Sequence, residues 1–276
     1  MAPTSILLRL LRLARLVLHL VRGLAIAWLL YPKLSETEQN AQKRRWSRTL
    51  LSILSVSVRE QDAPKKLPER CMLALNHISW LDIFVIDATF PATFVAKSEV
   101  RNWPVVGWLC TLVGTLYIER GKRSAAVRAR EMVAAELERG ALVAVCPEGI
   151  TTFGRSLEPF HAALFQPALD AEAMLQPVAL RYLDAAGRPT DAAAYVGETS
   201  LLESIWSIVS TDHMVAELKL LAPISVHGET RRSLAERTEA AIAAALGVPA
   251  PQRISRVRPQ PDMAPDTGAG PPGELR

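Results

Sequence analysis

The chain has 276 residues, a net charge of +4 and a sequence pI near 9.1, and 49% of its residues are hydrophobic. This length and composition predict one globular domain with a substantial core and appended segments. The three cysteines, Cys71, Cys110 and Cys146, are widely spaced among apolar neighbours. This pattern suggests neither a disulfide framework nor a metal knuckle, and a reducing compartment fits the cysteine usage.

The amino-terminal segment, residues 5–31, is rich in Leu, Val and Ile, with basic side chains every three or four positions. These are Arg9, Arg12, Arg15, His19 and Arg22. The spacing predicts a helix with its positive charges along one stripe. Arginines interrupt the apolar run, which argues against a cleaved secretory signal. The longest run without Lys or Arg, Gly23 to Pro32, is half of the roughly 20 residues that a spanning helix needs.

We therefore predict that this helix lies in the interface of an anionic membrane, with its arginines reaching lipid phosphates. A second basic amphipathic stretch, from about Lys43 to Val58, pairs with it as a helical hairpin. Two alternatives are a spanning helix over Leu10 to Tyr31 and a pair of ordinary soluble helices packed on the domain. Nucleic-acid binding is disfavoured, because the stripe lacks interleaved aromatic and polar residues that read bases.

From Arg70 onward, short apolar runs alternate with helical stretches. The runs predict buried strands at Cys71 to Leu75, Ala92 to Ala96, Thr115 to Ile118, Ala141 to Val145 and Pro177 to Tyr182. Helices are predicted at Trp80 to Asp87, Val105 to Val113, Ser124 to Arg139 with Ser124 as the N-cap, and Glu229 to Leu246. This alternation predicts an α/β fold with a mostly parallel sheet flanked by helices.

The domain organisation predicted from these patterns has three parts. Residues 1–62 form the membrane-associated helices and residues 63–248 form the α/β domain. Residues 249–276, rich in Pro and Gly, form a disordered tail.

Polar motifs follow three of the predicted strands. Asn76 and His77 follow the first, Glu119 to Gly121 the third, and Pro147 to Gly149 the fourth. In parallel sheets, functional groups collect just beyond the carboxyl ends of the strands. We therefore expect these three motifs to share one edge of the sheet.

His77 is well placed at a strand end to act as a general base if a carboxylate holds its other ring nitrogen. Asp82 lies about one helical turn further on, so a tight turn brings its carboxylate to the ring. The pair resembles a Ser-His-Asp arrangement without the serine, and no Gly-x-Ser-x-Gly motif supplies one. The substrate's own hydroxyl then takes the place of the serine, and transfer is direct. The alternative is a hydrogen-bonded structural histidine.

Several motif blocks of a known family occur in order. They are Asn76-His77-x4-Asp82, Ala96-Lys97-Ser98-Glu99, Gly114 to Gly121, Cys146-Pro147-Glu148-Gly149 and Gln176-Pro177-Val178. Over residues 70–185 the chain resembles the glycerolipid acyltransferases that act on 1-acyl-glycerol-3-phosphate.

The resemblance implies that an acyl group moves from acyl-CoA or acyl carrier protein to a lysolipid hydroxyl, without metal or cofactor. It further implies a location on the cytoplasmic face of the inner membrane. His77 is then the base and Asp82 its orienter. The residues expected to bind substrate or shape its site are Asn76, Lys97, Arg120, Gly121, Glu148, Gly149, Thr151 and Arg155. Of these, Lys97, Arg120 and Gly121 are expected to hold the acceptor phosphate.

The third block departs from the family pattern, in which Thr-Arg commonly follows Glu-Gly. Here Ile150 and Thr151 follow, and the next arginine is Arg155. Relatives with Thr in this block include acyltransferases of lyso-ornithine lipids. Lyso-ornithine lipid is therefore the alternative acceptor, with Arg155 as the replacement for the missing arginine. Cys146 stands where Phe is common, which we interpret as a packing change.

Two further alternatives belong to other functional classes. A membrane lipid-binding protein that kept the fold and lost the chemistry would bind lipid without turnover. A metal hydrolase using His77 and Asp82 needs further ligands, but His161, His213 and His227 are scattered along the chain.

Overall fold

The computed structural model describes residues 4–62, 67–102, 106–118 and 123–251. Two helices open the chain: α1 (Ile6–Leu29), capped by the Ser5 hydroxyl, and α2 (Glu36–Ile53), which begins with a capping box of Ser35 and Glu38. Short polar caps of this kind satisfy the free N–H groups of a first helical turn. The predicted amino-terminal pair of helices is therefore present. The second helix ends at Ile53 rather than Val58, because the chain then enters the sheet.

A seven-stranded sheet forms the centre of the molecule. Its strands are β1 (Val56–Gln61), β2 (Cys71–Leu75), β3 (Thr93–Lys97), β4 (Leu116–Ile118), β5 (Val143–Val145), β6 (Met174–Asp184) and β7 (Met214–Leu220). Their spatial order is β1-β7-β6-β2-β5-β3-β4. Every pair is parallel except β6 with β7. The mostly parallel sheet and all five predicted strands are confirmed.

Strands β1 and β7 were not predicted. Strand β1 is an edge strand with little apolar alternation, and it lies inside the range 1–62 that the sequence pattern assigns to the amino-terminal helices. In β7, Glu217 interrupts the apolar run. Its buried carboxylate accepts hydrogen bonds from Gln61 and pairs with Arg59 and Arg181 on the flanking strands. Partners on both neighbouring strands make a buried glutamate tolerable.

Helices cover both faces of the sheet. The remaining helices are α3 (Leu81–Thr89), α4 (Val106–Leu112), α5 (Arg123–Glu138), α6 (Gln166–Asp170), α7 (Leu201–Ser210) and α8 (Arg231–Leu246). One hydrophobic cluster joins a sheet face to α1, α2, α3 and α7, and a second joins the other face to α5, α6 and α8. Helix α5 begins at Arg123, so Ser124 lies inside the helix and is not its N-cap. The predicted tail from residue 252 onward lies outside the described residues.

Helix α1 packs along the domain with one stripe, and that stripe contains two of its basic side chains. Arg12 and His19 are buried with Leu16, Gly23 and Ala27. The Arg12 guanidinium donates to carbonyl oxygens at the end of α7, and the His19 ring stacks on Trp46. The prediction that the arginines of this helix reach lipid phosphates is therefore wrong for Arg12. The carbonyl oxygens at the carboxyl end of α7 bind the Arg12 guanidinium, so its charge lies against the protein and not against lipid phosphates.

The opposite side of α1 is apolar and exposed. Its outward side chains are Leu7, Leu10, Val17, Leu18, Val21 and Trp28. Only 22% of the most apolar window of this helix is buried, and the stretch Ile6–Lys33 is long and apolar enough to cross a membrane.

Candidate active site

The chain leaves the sheet at Asn76, directly after the fully buried strand β2. The Asn76 amide donates to the Leu180 carbonyl oxygen at 2.9 Å, and its oxygen accepts from the Leu180 N–H at 2.8 Å. The side chain thereby continues the pairing of β2 with β6 that the backbone has just ended. The next residue, His77, is held at the carboxyl edge of the sheet. Asn76 acts within the protein as a brace for this turn.

Asp82 lies in the first turn of α3 and is fully buried. Its Oδ2 accepts hydrogen bonds from the backbone N–H groups of Ile78, at 2.8 Å, and Ser79, at 3.0 Å. A carboxylate is favoured at a helix amino terminus, where free N–H groups and the helix dipole face it. The same contacts fold residues 76–82 into a tight turn that brings the carboxylate to the His77 ring.

The imidazole of His77 is bound to that carboxylate. Nδ1 of His77 lies 2.7 Å from Oδ2 of Asp82, and the other carboxylate oxygen accepts from the Tyr182 hydroxyl at 2.8 Å. Because a carboxylate only accepts, Nδ1 carries the proton of the neutral ring and Nε2 has its lone pair free. The His77 side chain keeps 23% of its surface exposed. This geometry is that of a general base held by an orienting carboxylate.

The electrostatic surroundings favour a protonated His77. Burial opposes the charged imidazolium, but the neighbouring Cys146 sulfur and the hydrogen-bonded Asp82 carboxylate outweigh it, so the pKa of His77 is raised well above its ordinary value. Cys146 directly follows β5, which places its sulfur near the His77 ring. A base with a raised pKa is a stronger proton acceptor, and it is free to act only above that pKa.

Glu148 braces the turn from the neighbouring strand end. One carboxylate oxygen accepts from the His77 N–H at 2.6 Å and the other accepts from the Glu158 N–H at 2.9 Å. The side chain is 3% exposed, and burial raises the pKa of Glu148 to about 7 against the effect of these two hydrogen bonds. Within the protein, Glu148 therefore shapes the loop that carries the base.

The loop after Glu148 is tied to the same turn. Thr152 N–H donates to the His77 carbonyl oxygen at 2.8 Å, and the Thr151 hydroxyl donates to the carbonyl oxygen of Tyr195. Gly149 has a positive φ of 72°, which suits glycine at this bend. Arg155 lies on the exposed surface, where it pairs with Asp191.

Lys97 is the only residue of the expected phosphate-binding trio that the described ranges include. It ends β3 and pairs in register with Ile118 of β4. Arg120 and Gly121 come two and three residues after Ile118 and lie outside the described residues. Their role as phosphate ligands stays a prediction.

Two contacts of the site were not predicted: the Tyr182 hydroxyl on Asp82 and the Cys146 sulfur beside His77. Tyr182 was assigned to a buried strand, and a buried tyrosine usually finds a hydrogen-bond partner, which was the available signal. Within the described ranges, no group of three or more His, Cys, Asp or Glu side chains is arranged to hold a metal ion.

Comparison with known proteins places the chain in a family. The family described as Acyltransferase matches residues 55–181. A lyso-ornithine lipid O-acyltransferase of Pseudomonas aeruginosa is 36% identical over 252 residues, covering 90% of this chain and 97% of that protein. A 1-acyl-sn-glycerol-3-phosphate acyltransferase of Neisseria meningitidis is 34% identical over 200 residues, covering 72% of this chain and 78% of that protein.

A solved structure shares the fold. The crystal structure of the 1-acyl-sn-glycerophosphate acyltransferase of Thermotoga maritima superposes with a TM-score of 0.67 at 17% identity, covering 87% of this chain and 94% of that one. At this identity the likeness is one of fold, whereas the Pseudomonas relative matches at 36% over nearly its whole length. The chain belongs to the acyltransferase family.

Proposed function

We propose that this acyltransferase moves a fatty acyl group from a thioester to the free hydroxyl of a lysolipid, with His77 as the general base. The observation that carries the proposal is the 2.7 Å contact between His77 Nδ1 and Asp82 Oδ2, which leaves Nε2 as the ring nitrogen that can accept a proton. A protein that had lost its chemistry would have no need to keep a buried carboxylate on this ring. The donor we propose is acyl-CoA or acyl carrier protein, and the reaction needs no metal or further cofactor.

In this mechanism, Nε2 of His77 takes the proton of the acceptor hydroxyl as its oxygen attacks the thioester carbonyl carbon. The new C–O bond forms a tetrahedral intermediate, and the C–S bond then breaks. The imidazolium returns the proton to the departing thiolate. Asp82 stabilises the imidazolium and holds the ring tautomer throughout, as the carboxylate of a triad does. The acceptor hydroxyl occupies the place of a nucleophilic serine, so no acyl-enzyme forms.

The acceptor we propose first is 1-acyl-glycerol-3-phosphate, which gives phosphatidic acid. The Neisseria relative carries this activity in its name, and Lys97 lies at the edge of the sheet that bears His77. A cation at this edge suits a phosphate headgroup. Lys97, Arg120, Gly121 and the residues after Glu148 are the proposed headgroup contacts.

Lyso-ornithine lipid is the second candidate, and a specific observation favours it. Arg155, the possible replacement for the missing arginine of the third block, pairs with Asp191 and is thereby partly neutralised. The relative named for lyso-ornithine lipid also spans nearly the whole of this chain. A zwitterionic headgroup needs fewer cations than a phosphate monoester.

We further propose that the protein is monotopic, on the cytoplasmic face of the inner membrane, with α1 lying in the plane of an anionic bilayer. The inward stripe from Arg12 to Ala27 packs on the domain over much of the helix, and a helix held in this way cannot also project across the bilayer. The outward apolar side chains are then available to the lipid, and exposed Arg15 and Arg22 to its phosphates.

The test is a competition between acceptors. Detergent-solubilised protein receives a long-chain acyl-CoA, or the acyl carrier protein thioester, with lysophosphatidic acid and lyso-ornithine lipid together, and mass spectrometry identifies the products. His77→Ala is the inactive variant, and His213→Ala, which alters a histidine beside Ser55 and Ser57, is its matched control. Phosphatidic acid made by the parent and by His213→Ala, but not by His77→Ala, supports the first acceptor. Ornithine lipid made by the same two proteins supports the second acceptor. A folded parent that makes neither product, with both donors intact, contradicts the proposal.

A further inference from the structure

Helix α7 presents an apolar face that the described chain leaves largely exposed. Leu202 is 79% exposed and Trp206 is 42% exposed, although both lie on a short apolar helix. The exposed fraction of Leu202 is slightly higher than that of Leu7, the most exposed large apolar residue of α1, at 75%. Neighbouring apolar side chains exposed to this degree mark a surface that meets a partner or a lipid phase.

This face is continuous with the outward side of α1. Arg12 of α1 binds the last carbonyl groups of α7, Val209 O at 2.9 Å among them, and the Arg9 guanidinium lies 5.5 Å from the centre of the Trp206 ring. Between the two helices runs an open, apolar groove of about 400 Å³. The groove is lined by Leu13, Leu202, Glu203, Ile205 and Trp206.

The one charged side chain of the groove is already engaged. Glu203 closes the capping box of α7, with its carboxylate accepting from the Ser200 N–H and hydroxyl, each at 2.8 Å. The other side chains that line the groove are apolar, so the groove suits a hydrocarbon chain. The positive charge of Arg9 at the rim complements an anionic headgroup.

The inner side of α7 touches the catalytic turn. The indole N–H of Trp80, three residues after His77, donates to the Ser204 hydroxyl at 3.0 Å, and Ser204 is buried. The segment that leads into α7 is also bound to the catalytic turn, because the Tyr195 N–H donates to the Ile78 carbonyl oxygen at 3.0 Å. The position of α7 is thus rigidly related to the position of the base.

We propose that α7 is a second membrane-contacting helix, and that bilayer acyl chains cover Leu202 and Trp206 and fill the groove beside Leu13. A single in-plane helix sets the depth of the protein but leaves it free to rotate about the helix axis. Contact through α7 removes that rotation and turns the catalytic edge toward the lipid. The inference rests on the proposed membrane location of α1 and extends it to a surface that orients His77.

The variants are Leu202→Glu and Trp206→Ser, with Met132→Glu as the matched control. Met132 is a 49% exposed side chain on α5, on the opposite face of the sheet. All three positions are exposed, so the fold is retained, and thermal unfolding checks this. Activity is measured with an acceptor embedded in phosphatidylglycerol–phosphatidylethanolamine vesicles and with a short-chain acceptor below its critical micelle concentration.

We expect each α7 variant to lose about tenfold or more of its kcat/KM on vesicles, because one large apolar side chain leaves the lipid, and to keep the parent value on the monomeric acceptor. Met132→Glu should match the parent on both. Brominated lipids should quench the fluorescence of the parent more than that of Trp206→Phe, which reports contact independently of turnover. Equal activity of Leu202→Glu and Met132→Glu on vesicles would overturn the proposal. Equal quenching of the parent and Trp206→Phe by brominated lipids would overturn it as well.

Two outcomes separate this inference from the proposed function. A parent that is inactive on the monomeric acceptor contradicts the lysolipid acyltransferase proposal itself, whereas quenching by brominated lipids that depends on Trp206 would still support the α7 contact. A parent dimer that Leu202→Glu converts to a monomer in sedimentation velocity identifies the face as a protein interface, which overturns the lipid assignment alone.

Discussion

The substitution Asp82→Asn removes the negative charge of Asp82 but keeps a side chain of nearly the same shape at this position. Oδ2 faces three N–H donors, those of Ile78, Ser79 and the His77 ring, so the asparagine must place its carbonyl oxygen there and its amide toward the Tyr182 hydroxyl. The opposite orientation would set an NH₂ group against these donors. The turn and the ring tautomer therefore survive, and what is lost is the charge that stabilises the imidazolium.

We expect kcat to fall about 10²- to 10³-fold, which corresponds to roughly 3–4 kcal/mol of transition-state stabilisation. This loss is smaller than the roughly 10⁴-fold loss known for a triad whose asparagine imposes the wrong tautomer. The pKa of His77, raised in part by its hydrogen bond to Asp82 and by the charge of that carboxylate, should also fall. Because the neutral ring is the active base, the parent rate rises with pH through this raised pKa. In Asp82→Asn the rise moves to lower pH.

The assay is a pH profile of kcat/KM for the parent and Asp82→Asn, with Asp87→Asn as the matched control. Asp87 lies further along the same helix, where it accepts from the Ala92 N–H away from the His77 ring. Asp87→Asn should leave the position of the rise unchanged. A rise that stays in place in Asp82→Asn, or a rate near that of the parent, would refute the assignment of His77 as a base supported by this carboxylate.

Three further substitutions test the surroundings of the base. Tyr182→Phe leaves a buried Asp82 oxygen without its hydroxyl donor and should cost roughly 1–3 kcal/mol of the free energy of unfolding, measured by urea denaturation, with only a few-fold loss of kcat. N-ethylmaleimide should inactivate the parent, because an adduct on half-buried Cys146 blocks the His77 ring, whereas Cys146→Ala should stay active under the same treatment. Gly154→Ala, at φ +70° and with its Cβ 2.7 Å from Ile78 Cδ1, should lower stability by about 1–2 kcal/mol and slow turnover.

Each of these has an outcome that would contradict it. Unchanged stability of Tyr182→Phe would mean that water replaces the hydroxyl on Asp82. Equal inactivation of Cys146→Ala by the maleimide would place the sensitive thiol elsewhere, at Cys110 for example. A Gly154→Ala protein with parental melting temperature would show that the Ile78 side chain moves aside at no cost.

The contact between His77 and Asp82 was predictable because the two residues are close along the chain. His77 and Asp82 are separated by 5 residues, so a strand end followed by one tight turn suffices to join them. Glu148 and Tyr182 reach the same turn from 71 and 100 residues away. Their contacts depend on the register of three strands, and apolar patterning locates strands without fixing which residues stand opposite one another.

The missed strand β7 and the misjudged Arg12 have a common physical origin. Glu217 in β7 and Arg12 in α1 are charged side chains buried by partners that are distant in sequence. A single-residue scale treats such a charge as exposed, because the ion pairs and carbonyl groups that make its burial tolerable are visible only after folding. The apolar outward face of α1 and the helix itself depended on local spacing alone and were predicted.

The contact of Arg12 with the end of α7 also orders events during synthesis. The Arg12 guanidinium binds a carbonyl group 197 residues further along the chain, so α1 leaves the ribosome long before α7 is synthesised. Until α7 has been synthesised, the part of the inward stripe around Arg12 and the whole outward face are both uncovered, which favours aggregation. A lipid surface beside the ribosome would cover the nascent helix until α7 is synthesised and its carbonyl groups bind Arg12, while the outward face stays in the lipid. Synthesis in the absence of membranes should therefore lower the yield of active protein more than it lowers the stability of the protein once folded.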